Sequence, residues 1–262
     1  MKFGGAAMAN PRQIQKVAEI IAEEKRRVIV VVSAMGTMTD ELIMLAHEVA
    51  AKPPKREMDM LLSVGERVSM ALLAMALEER GTPAISLTGS QAGMITCTSH
   101  GEAYIKEVRP HRVEKHLSEG KVVIIGGFQG VSEEKEITTL GRGGSDTSAV
   151  ALALALGGET VTFYKDVKGI HSEDPKKKPD APLLKELSFD QALSFSEFVI
   201  HKRAILLASK NGIPLHVKSF NRELWNLFPG TWIRGVKLFN ANSCYLKGCV
   251  YESRDERCEA PA

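Results

Sequence analysis

The chain has 262 residues, 44% of them hydrophobic and 25% charged, proportions that fit an ordinary globular protein with room for one large α/β domain or two small ones. Its net charge of +2, carried by scattered basic residues that are not interleaved with aromatics, excludes a nucleic-acid footprint. No unbroken apolar run, the longest being 70–77 and 149–156, approaches the roughly 20 residues of a membrane helix, and the N-terminus has no signal-peptide stretch, so the protein reads as cytosolic.

In chain order, Asn10 is a cap and Pro11 a first helical residue, followed by Ile14, Val17, Ala18 and Ile21 at helical spacing. The β-branched run Val28–Val32 then reads as a strand buried on both faces. Helices are expected over 39–50 and 58–79, separated by the basic, proline-containing stretch 51–56. A strand is expected over 83–87, a helix over 109–117 and a buried strand over 121–125. Another strand, 136–140, leads through the loop 141–144 into an alanine- and leucine-rich helix, 145–156. A strand over 160–164 follows. Ser188 and Gln191 form a capping box for a helix through about 198. A further helix closes at Asn211 and Gly212, and 215–219 is the last clear strand. The segment 165–182, rich in lysine, aspartate and proline, reads as a surface loop.

Strand and helix alternate almost throughout, which predicts an α/β fold: a three-layer αβα sandwich around a mainly parallel sheet. Ligands of such sheets bind beyond the carboxyl ends of the strands, so the loops there carry the chemistry. Gly141-Arg142-Gly143-Gly144-Ser145-Asp146 follows a strand and opens a helix. Its glycines and the helix start suit an anion, although a tight turn would need the same residues. Lys2-Phe3-Gly4-Gly5 sets a lysine beside two glycines, either a phosphate contact or a terminal lysine. Ser33-Ala34-Met35-Gly36 leaves a buried strand and either faces a ligand or makes a turn. Gly65, inside an apolar helix, costs about 1 kcal/mol relative to alanine, so close packing must offset it. That leaves Glu66 as a buried carboxylate or a solvated one. Cys97, Cys244, Cys249 and Cys258 form no C-x-x-C pair and read as free thiols.

Together these motifs resemble the aspartate kinases of the amino acid kinase superfamily. The matching stretches run in family order from Lys2 to about Ile233. They include 30–36 with Thr39-Asp40-Glu41-Leu42, 59–66, Ser86-Leu87-Thr88-Gly89, Gly127-Phe128-Gln129-Gly130, 137–147, Asp166-Val167, Asp174-Pro175 and Pro229-Gly230-Thr231. The resemblance implies the amino acid kinase fold, and phosphorylation of the L-aspartate β-carboxylate by ATP with Mg²⁺, the first step toward lysine, threonine and methionine. It implies catalytic roles for Lys2 and Asp146. Ser33, Thr39, Glu66, Arg142 and Ser145 would bind substrate, with Glu66 on the ammonium and Arg142 on the α-carboxylate. Lys2, Gly4, Gly5, Gly143, Gly144, Asp166 and Asp174 would face the nucleotide. No protein-held metal is implied. A homodimer in the cytoplasm is expected, with no membrane or nucleic-acid partner.

Four departures from the family pattern stand out. Ala6 and Ala7 replace a threonine and a serine expected to face phosphate. Phe198 stands where a phosphate-directed lysine is expected before His201, preceded by Ser196 and Glu197. Lys165 replaces a small hydroxyl residue before Asp166, and Lys2 directly follows Met1. Losing one such lysine costs on the order of 2–4 kcal/mol of transition-state stabilisation, and Lys202 and Lys168 are the candidates to stand in for it. Residues 1–233 are expected to form the catalytic domain. Residues 234–262 match nothing, and no paired regulatory ACT domains are expected. The alternative reading is a weakly active or inactive paralogue that binds ligand or a partner subunit.

Overall fold

In the computed structural model, which describes residues 1–173, 178, 180–195 and 199–235, the first half of the chain runs β1 (Lys2–Phe3), α1 (Pro11–Ala22), β2 (Ile29–Val32), α2 (Met38–Val49), α3 (Lys55–Glu78) and β3 (Ala84–Leu87). Next come β4 (Met94–Thr96), β5 (Ile105–Val108), α4 (His111–Ser118), β6 (Val122–Gly126), β7 (Gln129–Ser132) and β8 (Ile137–Thr139). Then follow α5 (Gly144–Ala155), β9 (Val161–Lys165), β10 (Ile170–His171), β11 (Leu183–Leu184) and β12 (Glu186–Leu187). The described chain closes with α6 (Phe189–Phe195), α7 (Lys202–Asn211), β13 (Leu215–Ser219) and β14 (Thr231–Ile233).

The main sheet has eight strands in the order β12-β14-β13-β9-β1-β2-β6-β3. Every neighbouring pair is parallel except β13 with β14. Strand alternation sends Val30 and Val32 to one face, where they pack with Phe3, Ile124 and the Ile14, Leu73 and Leu77 of α1 and α3. Val31 faces the other way, with Val123, Phe163 and Val217, onto Val150 of α5 and Ala204 and Ile205 of α7. The expected three-layer sandwich is what the chain forms.

Several local expectations hold for the reasons that suggested them. The Asn10 side chain accepts from the Gln13 N–H at 3.0 Å. Ser188 and Gln191 hydrogen-bond each other's backbone N–H groups at 2.9 and 3.1 Å. Gly212 closes α7 in the left-handed region, with φ 67°.

Other expectations fail. Helix α3 starts at Lys55, not Met58, because Pro53 and Pro54 precede the helix and leave Lys55 and Arg56 free to form its first turn. The second sheet, β5-β4-β7-β8, was not expected; its strands have only three or four residues and carry Gln129, Gly130 and paired threonines. Within 165–182, Lys165 ends a strand and β10 pairs antiparallel with β11, burying Ile170. Helix α3 is also apolar enough to cross a membrane by length and composition, with mean hydropathy 1.6 over its best window. Its inward stripe instead packs on α1, β3 and β6 as a core helix. Residues 196–198, 236–262 and the three C-terminal cysteines lie outside the described residues, and Cys97 is a buried free thiol.

Gly65 has the packing role its position demands. A Cβ there would sit 2.7 Å from the Ala34 Cβ, well inside van der Waals contact. Gly65→Ala is therefore expected to destabilise by about 1–3 kcal/mol through overpacking, despite the roughly 1 kcal/mol gained in helix propensity. Urea unfolding checks this, and a stabilised variant would contradict it.

Candidate active site

Parallel order brings the carboxyl ends of β1, β2, β6 and β9 to one edge, where three charged groups meet. Lys2 is only 4% exposed, so its ammonium needs a partner within the protein. Its Nζ lies 2.7 Å from Asp146 Oδ1 at the start of α5. Lys165, the last residue of β9, brings its own Nζ to 3.4 and 3.5 Å from the two oxygens of the same carboxylate. The His201 N–H donates to Asp146 Oδ2 at 3.3 Å. Burial opposes ionisation of Asp146, but the charges of Lys2 and Lys165 and the donated hydrogen bonds outweigh it and hold its pKa at about 2. Burial and the neighbouring Lys2 push the Lys165 amine down to about 8.

Glycines make room around this cluster. Gly4 lies against the Lys2 ammonium, 3.7 Å from where a Cβ would stand. Gly143 adopts φ 71°, and a Cβ there would overlap the His201 ring, 2.1 Å from Cγ. Helix α5 starts without a side-chain cap, which leaves its positive end for an anion.

Glu66 lies close enough to Lys2 to feel its charge. Its Oε1 accepts from the Ala34 N–H at 3.1 Å, at the exit of β2. Its Oε2 is buried without a hydrogen-bond partner among the described residues. Burial raises its pKa to about 7, against the smaller opposing effects of the Ala34 hydrogen bond and the Lys2 charge. A buried carboxylate with one empty oxygen suits an incoming cation. Further along α3, Asp59 is buried and accepts from the Thr139 hydroxyl at 2.5 Å and the Gly101 N–H at 3.1 Å, while its Oδ2 pairs with His100 Nδ1 at 2.7 Å.

The structure thus unites Lys2, Gly4, Glu66, Gly143 and Asp146. Gly5 packs on the Ala34 carbonyl and Gly144 on Leu140, while Ser145 is buried against Gly127. Ser33 follows β2 and Thr39 lies in the first turn of α2; neither hydroxyl has a hydrogen-bond partner among the described residues. Arg142 is exposed and forms no ion pair among the described residues, and Asp166 is exposed beside Lys165. Asp174 and Phe198 lie outside the described residues. One expectation is corrected: Ala7 is buried in the core beneath α1 and α3, so a hydroxyl there would face protein, and only Ala6 is exposed. Sequence reasoning missed Lys165 and His201 as members of the cluster. For Lys165 the available signal was its position at the carboxyl end of a buried parallel strand.

The model of the amino acid kinase family matches residues 1–219. An aspartokinase of Geobacillus stearothermophilus is 50% identical over 224 residues, which cover 83% of this chain and 55% of that protein. The aspartate kinase of Synechocystis superposes with a TM-score of 0.79 at 45% identity, over 92% of this chain and 40% of that one. E. coli aspartokinase III, solved with aspartate and ADP, gives 0.81 at 26% identity, over 91% of this chain and 64% of that one. The chain spans about half the length of the curated relatives it matches.

Glu66 sets a pH dependence of stability. Its pKa in the fold, about 7, lies above the ordinary 4.5. The native state therefore holds the proton more tightly, and this stabilisation is full below pH 4.5 and lost as pH rises through about 7. Glu66→Gln is expected to gain about 2–3 kcal/mol on the parent chain between about pH 5 and about pH 8. Urea unfolding at the two pH values checks this, and an offset that does not change with pH would refute it.

Proposed function

The chain belongs to the amino acid kinase family, and we propose that it carries out the aspartokinase reaction, moving the γ-phosphoryl group of ATP onto the β-carboxylate of L-aspartate. The observation that carries this reading is the position of Lys2. Its ammonium touches Asp146, which is held ionised, and its charge also reaches Glu66, which keeps an empty buried oxygen. The Lys2 ammonium suits a phosphate, and the Glu66 carboxylate suits an amino acid's ammonium.

The chemistry then needs positioning more than covalent help. A β-carboxylate oxygen, already anionic, attacks the γ-phosphorus as the bond to the ADP oxygen breaks, so no general base is required. The difficulty is anion approaching anion. Lys2, fixed by Asp146, neutralises the transferred group, and the start of α5 adds the positive end of its dipole. Glu66 takes the substrate ammonium. Arg142, exposed and without an ion pair among the described residues, offers the α-carboxylate a two-pronged contact. Ser33, Thr39 and Ser145 line the substrate side, and Asp166 the nucleotide side. The E. coli relative's complex with aspartate and ADP supports both ligands.

Among the described residues, no three His, Cys, Asp or Glu side chains come together to hold a metal. The Asp146 carboxylate is occupied by its lysines. Mg²⁺ is therefore proposed only as a companion of the nucleotide phosphates, where its charge would screen their repulsion.

Lysine and threonine biosynthesis and a cytoplasmic location are carried over from the relatives as part of this proposal. For the homodimer, support comes from Leu45 and Val49 of α2, which form a shallow apolar groove with Met58 and Leu61 of α3. The inactive-paralogue reading gains nothing from Ala7, which is buried in the core.

The test is a hydroxylamine trap with ATP, Mg²⁺ and L-aspartate. Aspartyl hydroxamate is expected from the parent chain, and Asp146→Ala is expected to lose about 10²–10³ in kcat, as other preorganised electrostatic groups do. No product from a folded parent chain would reject the reading. Aspartate binding provides a second check. If the ammonium pairs with ionised Glu66, affinity should fall about tenfold per pH unit below about 7 in the parent and stay flat in Glu66→Gln. Calorimetry across that range decides, and a flat parent profile would remove Glu66 from the ammonium site.

A further inference from the structure

The Asp146 cluster carries more positive charge than its carboxylate can balance. Two ammonium groups face one carboxylate, the exposed Asp166 adding only the weakest attraction on Lys165, and the side chains of Lys2 and Lys165 are only 5% and 18% exposed. Lys2 takes the close contact at 2.7 Å, while Lys165 stays at 3.4 and 3.5 Å from both oxygens, near the limit of a hydrogen bond. Lys165 is therefore the less committed of the two. A second cation kept in a poorly hydrated place is costly unless an anion comes to it.

The surroundings point to a polyphosphate. Lys165 ends β9 beside β1, on the edge where Gly4 stands beside the Lys2 ammonium and α5 presents its positive end. The other lysines near this strand have different partners. Lys168 lies 4.2 Å over the Phe228 ring and Lys218 lies 3.5 Å over Trp225.

We propose that Lys165 is a second phosphate-binding cation, which leaves Asp146 and turns to the polyphosphate of the nucleotide when it binds, while Lys2 stays on the transferred group. This deepens the aspartokinase reading and rests on it. Lys165 thereby supplies, from the end of a strand, the phosphate-directed charge that position 198 lacks, the role considered above for Lys202 or Lys168. Asp146 keeps Lys2 fixed throughout and acts as a positioning residue for both lysines.

The experiment compares the parent chain with Lys165→Met and Lys165→Arg. Steady-state hydroxamate formation gives KM for each substrate, and calorimetry gives the affinities for ADP and for adenosine. Lys165→Met is expected to raise KM for ATP about tenfold, to leave KM for aspartate within about twofold, and to weaken ADP about tenfold while adenosine is unchanged, the pattern of one lost phosphate contact. Lys165→Arg should recover most of each loss, since it restores the charge. Equal losses for ADP and adenosine would overturn the proposal, because a lysine needed only for structure would damage both. An unchanged ADP affinity in a folded Lys165→Met would also overturn it. If the parent chain makes no hydroxamate, the aspartokinase reading fails separately, and the ADP and adenosine comparison still decides the role of Lys165.

Discussion

Asp146 is a buried carboxylate, and burying such a charge costs several kcal/mol unless donors surround it. Here the donors come from three distant parts of the chain: Lys2 on β1, Lys165 at the end of β9, and the His201 N–H just before α7. They meet only because β1 lies between β2 and β9 with all three strands running the same way. Helix α5 packs beneath them and delivers Asp146 from below. The strand order, the placement of α7 and the charge state of the site therefore form one arrangement. Disturbing the sheet order would leave a carboxylate and two ammonium groups in the interior without partners.

The close packing around the charged cluster depends on what the side chains omit. Gly65 lets α3 approach the exit of β2, close enough for Glu66 to reach the Ala34 N–H. Gly127 leaves room for Ser145, and Gly143 for the His201 ring. At each of these places a neighbouring residue comes closer than a Cβ would allow. The charged groups are thus mounted on packed secondary structure, which keeps electrostatic groups aimed without further reorganisation.

Much of this was legible in the sequence. The long buried strands and the well-capped helices declared themselves through β-branched runs, Asn10, the Ser188 and Gln191 box and Gly212, because each of those signals is local. Lys2, Glu66, Gly143 and Asp146 were legible as members of a family pattern. What stayed hidden depends on tertiary contact. Lys165 and Asp146 are 19 residues apart and His201 lies 55 beyond Asp146, and nothing along the chain marks them as neighbours. Most of the small second sheet was also hidden: the strand expected over 136–140 is its β8, but its partners, three or four residues long and carrying Gln129 and Gly130, have too little alternation to separate them from loops. Ala7 was misread because a residue beside a glycine loop can still point into the core.

Helix α3 carries both Asp59 and Glu66. Seven residues of an α-helix span about 10 Å and return to nearly the same side, within about 20°. The Asp59 carboxylate that anchors the small sheet through Thr139 and Gly101, and the buried Glu66 carboxylate, therefore ride on one stiff rod. With Gly65 pressed against Ala34, this rod has little freedom to slide where it passes β2. The small sheet, which also grips α3 through the Gln129 amide on the Ser63 carbonyl, is therefore coupled through this helix to where Glu66 stands.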